Sequence, residues 1–473
     1  MGGRSRKKKV LPGIVITGIA DKGRSVGKTA DGQVVFVENA APGDVVDVLV
    51  LRKKAGVLQG RAVHFQQYSP DRVAPFCDHY GLCGGCKWQH LSYAAQLAHK
   101  QQVVEDALRR IGKVQVADFQ PILAADPVVY YRNKLEFTFS NKRWLTRAEI
   151  TDNESLEHRN ALGFHRPGEF DKIVDITHCW LQAEPSNSIR NTVRAIALEQ
   201  ELSFYDNKER IGLLRSMVVR TTSVGQVMLV FSFGEANDAL IEPFLRTVRE
   251  RCPEVTTISY CINTKVNDYL MDLDMHIWQG PGYIEEQLGH LRCKIGPKSF
   301  FQTNSRQGQA LYDIAVAFAD LQGGENVYDL YTGVGSIALY VAQHCRQVVG
   351  IEEIAAAIDD ARENARLNAI DNAVFYAGDV KDMLTPDFVE RYGKPDVLIT
   401  DPPRAGMHPQ VVEMLLQMET PKIVYVSCNP ATQARDLQLL STKYEVQKVR
   451  PVDMFPHTHH IESVAALRLR TLT

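Results

Sequence analysis

From about residue 298 to the C-terminus, short apolar runs alternate with helical segments, and the runs end in turns rich in Gly, Asp or Pro. A helix (SRQGQALYDIAVAFADL) leads into NVYDLYTGVGS, then VVGIEE, AVFYAGD, DVLITDPP and KIVYVSCNP, with helical stretches between them. Strands that are apolar on both faces need cover on both sides, and helical crossovers supply it. The pattern predicts a doubly wound, largely parallel α/β sheet of Rossmann-like type. In such a sheet, ligands bind beyond the carboxyl ends of the strands.

The remainder reads differently. GIVITGIA, GQVVFVEN, DVVDVLVLRKK and RAVHFQQY are short β-type runs separated by turns such as Asp31-Gly32 and Pro42-Gly43, which suggests a small OB-like barrel. SYAAQLAHKQQVVEDALRRIG has apolar residues at helical spacing and a terminal glycine, so it predicts one long amphipathic helix. Residues 128–290 mix β-rich runs (KLEFTFS, SMVVRTT, QVMLVFSF) with helices such as SNSIRNTVRAIALEQ, as in an α+β domain. The expected domains are 1–68 (barrel and basic tail), 69–296 (middle) and 297–473 (α/β), with helix 92–111 packing on the last.

At 45% hydrophobic and 23% charged residues, the 473-residue chain has a globular composition. No apolar run reaches the roughly 18 residues of a membrane span. The basic start, MGGRSRKKKV, lacks a following signal-peptide core, so a cytoplasmic monomer without a membrane partner is expected. The net charge of −2 hides an asymmetry: residues 1–61 hold twelve Lys or Arg against five Asp or Glu. That excess suits a polyanion such as RNA, although a solvated tail and face would carry it equally well. Nine unevenly spread cysteines in a long chain argue against a disulfide scaffold and for metal ligands or a nucleophile.

Chemistry concentrates at the strand ends. In DLYTGVGS, Gly333 and Gly335 let the backbone pass close to a ligand at a helix N-terminus. Glu352 ends the next strand, where an acid can accept both ribose hydroxyls of an adenosine, and Asp379 ends the third, facing the adenine. The turn is too short to supply the donors a pyrophosphate needs, which favours S-adenosylmethionine (SAM) over NAD. After DVLIT, the prolines of DPPRAG fix a rigid turn beside Asp401. Cys428 stands at the tip of an apolar strand, where it can meet a substrate if its thiol ionises. A further loop, CDHYGLCGGC, brings Cys77, Cys83 and Cys86 into ten residues. Taken alone it suits zinc or an iron–sulfur cluster equally, with His79 and His90 as possible extra ligands.

These segments resemble the RNA uracil-5 methyltransferases, and within them the iron–sulfur branch that acts on 23S ribosomal RNA. GxxDxGRSVGK…GQVVFVENAAPGDVV resembles a TRAM domain, an RNA-binding barrel. The C-x5-C-G-G-C loop, LGFHRPGEFDKIVDITHC, FFQTN, DPPRAG, YVSCNPATQARD and HIESV each resemble a family motif, in the family order along nearly the whole chain. The resemblance implies Cys428 as nucleophile, Glu462 as general base and Asp401 beside the reacting methyl. It also implies SAM contacts from Gln302, Tyr331, Ser336, Glu352, Asp379 and Asp401. The family often has Phe and Cys where this chain has Tyr331 and Thr332, and it varies at Ser336. Cys179, 93 residues beyond Cys86, becomes the fourth ligand of a [4Fe–4S] cluster. Arg132 and Lys134 of RNKLEF fall in a segment near the RNA. The implied partner is a uridine flipped out of a 23S loop.

Three other readings compete. A tRNA uracil-54 methyltransferase shares the chemistry, but such relatives are expected to lack the barrel and the cysteine loop. Radical-SAM methylthiotransferases use C-x3-C-x2-C and carry their barrel at the C-terminus. A non-catalytic RNA-binding protein with structural zinc leaves YVSCNP and HIES unexplained.

Overall fold

The computed structural model describes residues 9–20, 23–151 and 159–471. The basic tail at 1–8, and Asp21 and Lys22 of the barrel motif, lie outside them. Five strands close into a barrel in the order β1-β2-β3-β5-β4: β1 (Val10–Ala20), β2 (Arg24–Lys28), β3 (Val34–Glu38), β4 (Val45–Lys54) and β5 (Val57–Gln67). Alternate residues point inward, so Ile14, Ile16, Val35, Val37, Val46 and Val48 form its core. Strand β2, RSVGK, was not among the expected runs. Its buried positions are Ser25 and Gly27, which leaves no apolar alternation to read.

Beyond the cysteine loop, Ser92 caps a helix over Tyr93–Asp106, its side chain accepting from the Ala95 N–H. The last turn, Ala107–Gly112, widens to π geometry. Strand β6 (Val116–Phe119) follows, and the chain then builds the middle sheet from β7 (Lys134–Ser140), β8 (Ala161–His165), β9 (Ile173–Asp175), β10 (Leu214–Thr221), β11 (Val227–Phe233), β12 (Thr257–Ile262) and β13 (His276–Gln279). These seven strands run in the order β13-β12-β11-β10-β7-β8-β9, antiparallel except for β11 with β12. Helices Ser186–Glu199 and Asp238–Arg251 bury Ile189, Val193, Phe244 and Val248 with Phe137, Phe139, Phe231 and Phe233.

A two-stranded ribbon, β14 (Ile284–Leu288) with β15 (Leu291–Ile295), leads into the last unit. Its strands are β16 (Asn326–Leu330), β17 (Gln347–Glu352), β18 (Ala373–Ala377), β19 (Val397–Thr400), β20 (Lys422–Ser427), β21 (Tyr444–Val452) and β22 (Glu462–Leu469). With β6 they form one sheet in the order β18-β17-β16-β19-β20-β22-β21-β6. The first five are parallel, β22 runs antiparallel between β20 and β21, and β6 pairs parallel with β21.

Two packing relations depart from the expected boundaries. The ribbon, placed with the middle domain by sequence, buries Ile284, Leu288, Leu291, Cys293 and Ile295 with Leu311 and Ile337 of the last unit. Strand β6 joins the sheet of that unit; the helix before it, expected against that unit, packs Val104, Ala107 and Leu108 with Tyr328 and Tyr425. Among the described residues no helix is long and apolar enough to cross a membrane.

The helix over Tyr93–Asp106 is fixed by charge as well as by packing. Lys100 Nζ donates to Asp453 Oδ1 at 2.5 Å and to the Phe455 carbonyl at 3.0 Å, with the Lys100 and Asp453 side chains 1% and 0% exposed. The Tyr93 hydroxyl donates to the other Asp453 oxygen at 2.9 Å. Removing one member of a buried pair strands the other charge. Asp453→Ala is therefore expected to cost about 3–5 kcal/mol of stability, read as a lowered urea midpoint. The change matters because Asp453 begins the loop that leads to Glu462.

Candidate active site and cysteine cavity

The sheet order brings the strand-end residues into one row. From one side to the other of the carboxyl edge, Asp379 follows β18, Glu352 ends β17, Tyr331 follows β16, Asp401 follows β19 and Cys428 follows β20. The strand order changes direction between β16 and β19, the place where a doubly wound sheet opens a binding crevice.

The donor end is built around the Gly-x-Gly turn. Gly333 has φ +57° and donates its N–H to Glu352 Oε2 at 3.1 Å, while Glu352 Oε1 accepts from the Ile354 N–H at 3.0 Å. A Cβ at Gly333 would meet nothing within 4 Å, so the turn faces open space that a ligand can fill. At Gly335, by contrast, a Cβ would come within 2.9 Å of Ala361, and the absent side chain serves close packing instead. Tyr331 takes a left-handed φ of +63°, a strain that non-glycine residues keep mainly at functional sites. Ser336 Oγ pairs with the Tyr312 hydroxyl at 2.9 Å. Asp379 caps the short helix Val380–Met383 and pairs with Lys381, which holds its carboxyl below the usual range. Gln302 lies across Gly308, where a Cβ would sit 3.1 Å from its own.

At the other end, register sets the reactive pair. Ser427 of β20 pairs with Ser463 of β22, so Cys428 and Glu462 stand opposite each other one step further. Glu462 is 7% exposed. Burial, with Asp401 alongside, holds its carboxyl well above the usual range, and only Arg404 opposes this. Burial also pushes the Cys428 thiol up to about 11, helped by Glu462 and Asp401 and again opposed by Arg404. Asp401 is raised to about 7 by burial and by Asp329, a fully buried carboxyl at the end of β16 that accepts from the Thr332 hydroxyl at 2.5 Å. The site therefore gathers acids whose charged forms the protein disfavours, next to one guanidinium.

Sequence reading passed over that guanidinium. Arg404 Nη2 lies 3.0 Å from His460 Nδ1, and its carbonyl accepts from Asn429 Nδ2 at 2.9 Å. One residue thus ties the loop of Asp401 to the neighbours of both Cys428 and Glu462. The signal was present in the Arg that follows the prolines of DPPRAG, but its partners are distant in sequence.

The second site lies in the middle domain. A cavity of about 350 Å³ is lined by Cys77, Cys83, Cys86 and Cys179 together with His79, Arg132, Lys134 and Thr303. Burial raises all four thiols, Cys83 and Cys86 to about 12, and neighbouring cysteines add to the rise at Cys83, Cys86 and Cys179. All nine cysteines are free. Among the described residues, no three His, Cys, Asp or Glu side chains close on a point that would hold a single ion. His90, a possible ligand by sequence, instead bonds the Tyr80 hydroxyl and lies 3.3 Å from the Ala40 carbonyl. Arg132 and Lys134, expected near the RNA, are half-buried: Lys134 opens the interior strand β7, and the Arg132 guanidinium sits 5.0 Å from the Phe455 ring centroid.

Comparison with known proteins decides the class. An uncharacterized RNA methyltransferase of Bacteroides thetaiotaomicron is 52% identical over 96% of this chain and 100% of its own length. One from Porphyromonas gingivalis is 51% identical over 96% and 98%. The family model for tRNA (uracil-5-)-methyltransferase matches residues 282–470, and the TRAM model matches residues 14–63. The chain belongs to the RNA methyltransferase family. The methyltransferase also resembles a solved Pyrococcus abyssi tRNA (uracil-54, C5)-methyltransferase in complex with S-adenosyl-L-homocysteine. That likeness has a TM-score of 0.74 and 29% identity, and it covers 96% of this chain and 99% of the other. It spans nearly all of both chains, so the overall architecture, barrel segment included, does not separate rRNA from tRNA as the RNA substrate.

Proposed function

We propose that this SAM-dependent RNA uracil-C5 methyltransferase acts on a uridine in a loop of 23S ribosomal RNA, through a covalent adduct at Cys428. The observation that carries the chemistry is the opposed pair Cys428 and Glu462, one strand away from Asp401 and the donor-facing row. C5 of uracil is too weak a nucleophile to take a methyl unaided. The Cys428 thiolate adds at C6, and the electrons of the C5–C6 bond move to O4 as an enolate. C5 then attacks the sulfonium methyl, and S-adenosylhomocysteine leaves. The Glu462 carboxylate removes the C5 proton, the enolate re-forms, and elimination expels the thiolate. Asp401, poised near pH 7, can hydrogen-bond O4 while charge develops there. Gln302, Tyr331, Ser336, Glu352 and Asp379 hold the donor, with Gly333 and Gly335 forming the turn beneath it. A uridine in a duplex could not reach this crevice, so the base is flipped from a loop. The barrel contributes phosphate affinity that falls with salt, and Arg132 and Lys134 meet the RNA at the rim of the cysteine cavity.

The rRNA assignment rests on the resemblance of the ordered motif series. The likeness to the Pyrococcus abyssi enzyme supports tRNA uracil 54 as a second reading. Purified 23S transcripts and tRNA, each offered with labelled SAM, separate the two. Methyl transfer to tRNA alone overturns the rRNA choice.

For the cavity we propose a [4Fe–4S] cluster held by Cys77, Cys83, Cys86 and Cys179. Four thiols around one roomy cavity fit that donor set, although four cysteines also suit zinc. The methyl transfer involves no net oxidation or reduction, so the cluster's role is to fix the cysteine loop to the middle sheet. Protein prepared without oxygen is expected to contain iron and inorganic sulfide in equal amounts, and Cys83→Ser to lose most of both. Zinc without iron in that preparation rejects the cluster.

A further inference from the structure

The loop that carries Gln302 is held largely from outside its own sheet. Arg220, at the end of β10 and 5% exposed, donates Nη2 to the Ser299 carbonyl at 2.7 Å. Asn133, just before β7, grips the other end with three bonds. Its N–H donates to the Thr303 carbonyl at 2.8 Å, and its Nδ2 donates to the Gln302 carbonyl and to Ser305 Oγ, both at 2.8 Å. The Gln302 carbonyl can only accept, which fixes the amide with its nitrogen toward the loop. Ser305 Oγ donates in turn to Glu286 Oε2 at 2.6 Å, and Glu286 accepts from the Ser223 N–H at 2.9 Å. The Asn133 carbonyl is also committed, to the Thr221 N–H at 2.8 Å. Asn133 thus has its backbone in the middle domain and its side chain on the donor loop. It lies between Arg132 and Lys134, which line the cysteine cavity, as does Thr303.

We infer that Asn133 is a positioning residue for the methyl donor, through which the middle domain sets donor affinity. The inference rests on the reading of Gln302 as a SAM contact. A loop clamped at Ser299 and at Gln302–Ser305 presents the Gln302 side chain in one place. Without the Asn133 side chain, the second point keeps the Asn133 N–H to the Thr303 carbonyl and Asn304 Nδ2 to the Met454 carbonyl at 2.9 Å, so the donor must complete the ordering of Gln302, and that ordering weakens binding. Because the clamp belongs to the middle domain, a displacement of that domain by RNA reaches the donor loop through Asn133.

The test uses the full chain, purified without oxygen, with S-adenosylhomocysteine as the calorimetric probe. Asn133→Ala is expected to weaken its binding about tenfold, the size of one or two net hydrogen bonds. The KM for SAM should rise by a similar factor, while kcat at saturating SAM stays within about twofold of wild type. Asn133→Asp keeps the size of the side chain but turns an oxygen toward the Gln302 carbonyl, so it should weaken binding at least as much. Its thermal midpoint shows whether the fold is kept. Wild-type affinity in a folded Asn133→Asp variant overturns the proposal, as does a loss confined to kcat. A wild-type protein that binds no S-adenosylhomocysteine removes the donor-site reading, and the proposal with it.

Discussion

Cys428→Ala is expected to lower methyl transfer by on the order of 10⁴-fold or more while leaving RNA binding close to wild type. The thiol supplies the covalent bond that makes C5 nucleophilic, and no neighbouring group can replace it. Burial is the main cause that holds the thiol near 11; of the charges that face it, Glu462 and Asp401 add to the rise and Arg404 opposes it. The thiolate is the reacting form, so adduct formation in wild type should rise with pH, about tenfold per unit, until the thiol titrates. A bound sulfonium and a bound RNA change the charges around the thiol, so the profile is best taken first as alkylation of the free enzyme. Methylation by Cys428→Ala at an unchanged rate would show that the nucleophile lies elsewhere.

Glu462→Gln is expected to stop the reaction one step later. The amide cannot take the C5 proton, so the methylated base stays bonded to Cys428. Turnover should fall by roughly 10³-fold, within the usual range for a lost general base. With methyl-labelled SAM, the label should run with a protein–RNA band that survives denaturing electrophoresis. Removing the carboxylate also removes a charge that raises the thiol, so alkylation of Cys428 in this variant should begin at lower pH than in wild type. Free methylated RNA released at the wild-type rate would assign the proton to another base. The two variants also separate addition from elimination, since only the second retains a bond to RNA.

Much of this arrangement could be read along the chain. Buried strands alternating with helices, each ending in a turn rich in Gly, Asp or Pro, put Glu352, Asp379, Asp401 and Cys428 on one edge from the order of the segments alone. Glu462 was legible only through its motif, because a glutamate at a strand start is usually a surface charge. What escaped lacks a local period. Strand β2 turns Ser25 and Gly27 inward, and β6 is four residues whose partner lies near the C-terminus. Ribbon β14–β15 alternates like any hairpin, and nothing in its pattern says which core it joins. Asn133, Arg220, Arg404 and His460 act through a few polar contacts to groups distant in sequence, so their meaning exists only in the fold.

The placement of β6 has a consequence for how the chain is made. Val116 pairs with Val446, 330 positions later, and β22, beginning at Glu462, must enter between β20 and β21 before that edge is complete. A ribosome adds roughly 5–20 residues per second, so β6 waits on the order of tens of seconds for its partner. During that time the barrel and middle sheet can assemble, but the catalytic edge cannot. Cys428 and Glu462 therefore meet only once β22 has been made, and no nascent fragment short of that strand carries a formed active site.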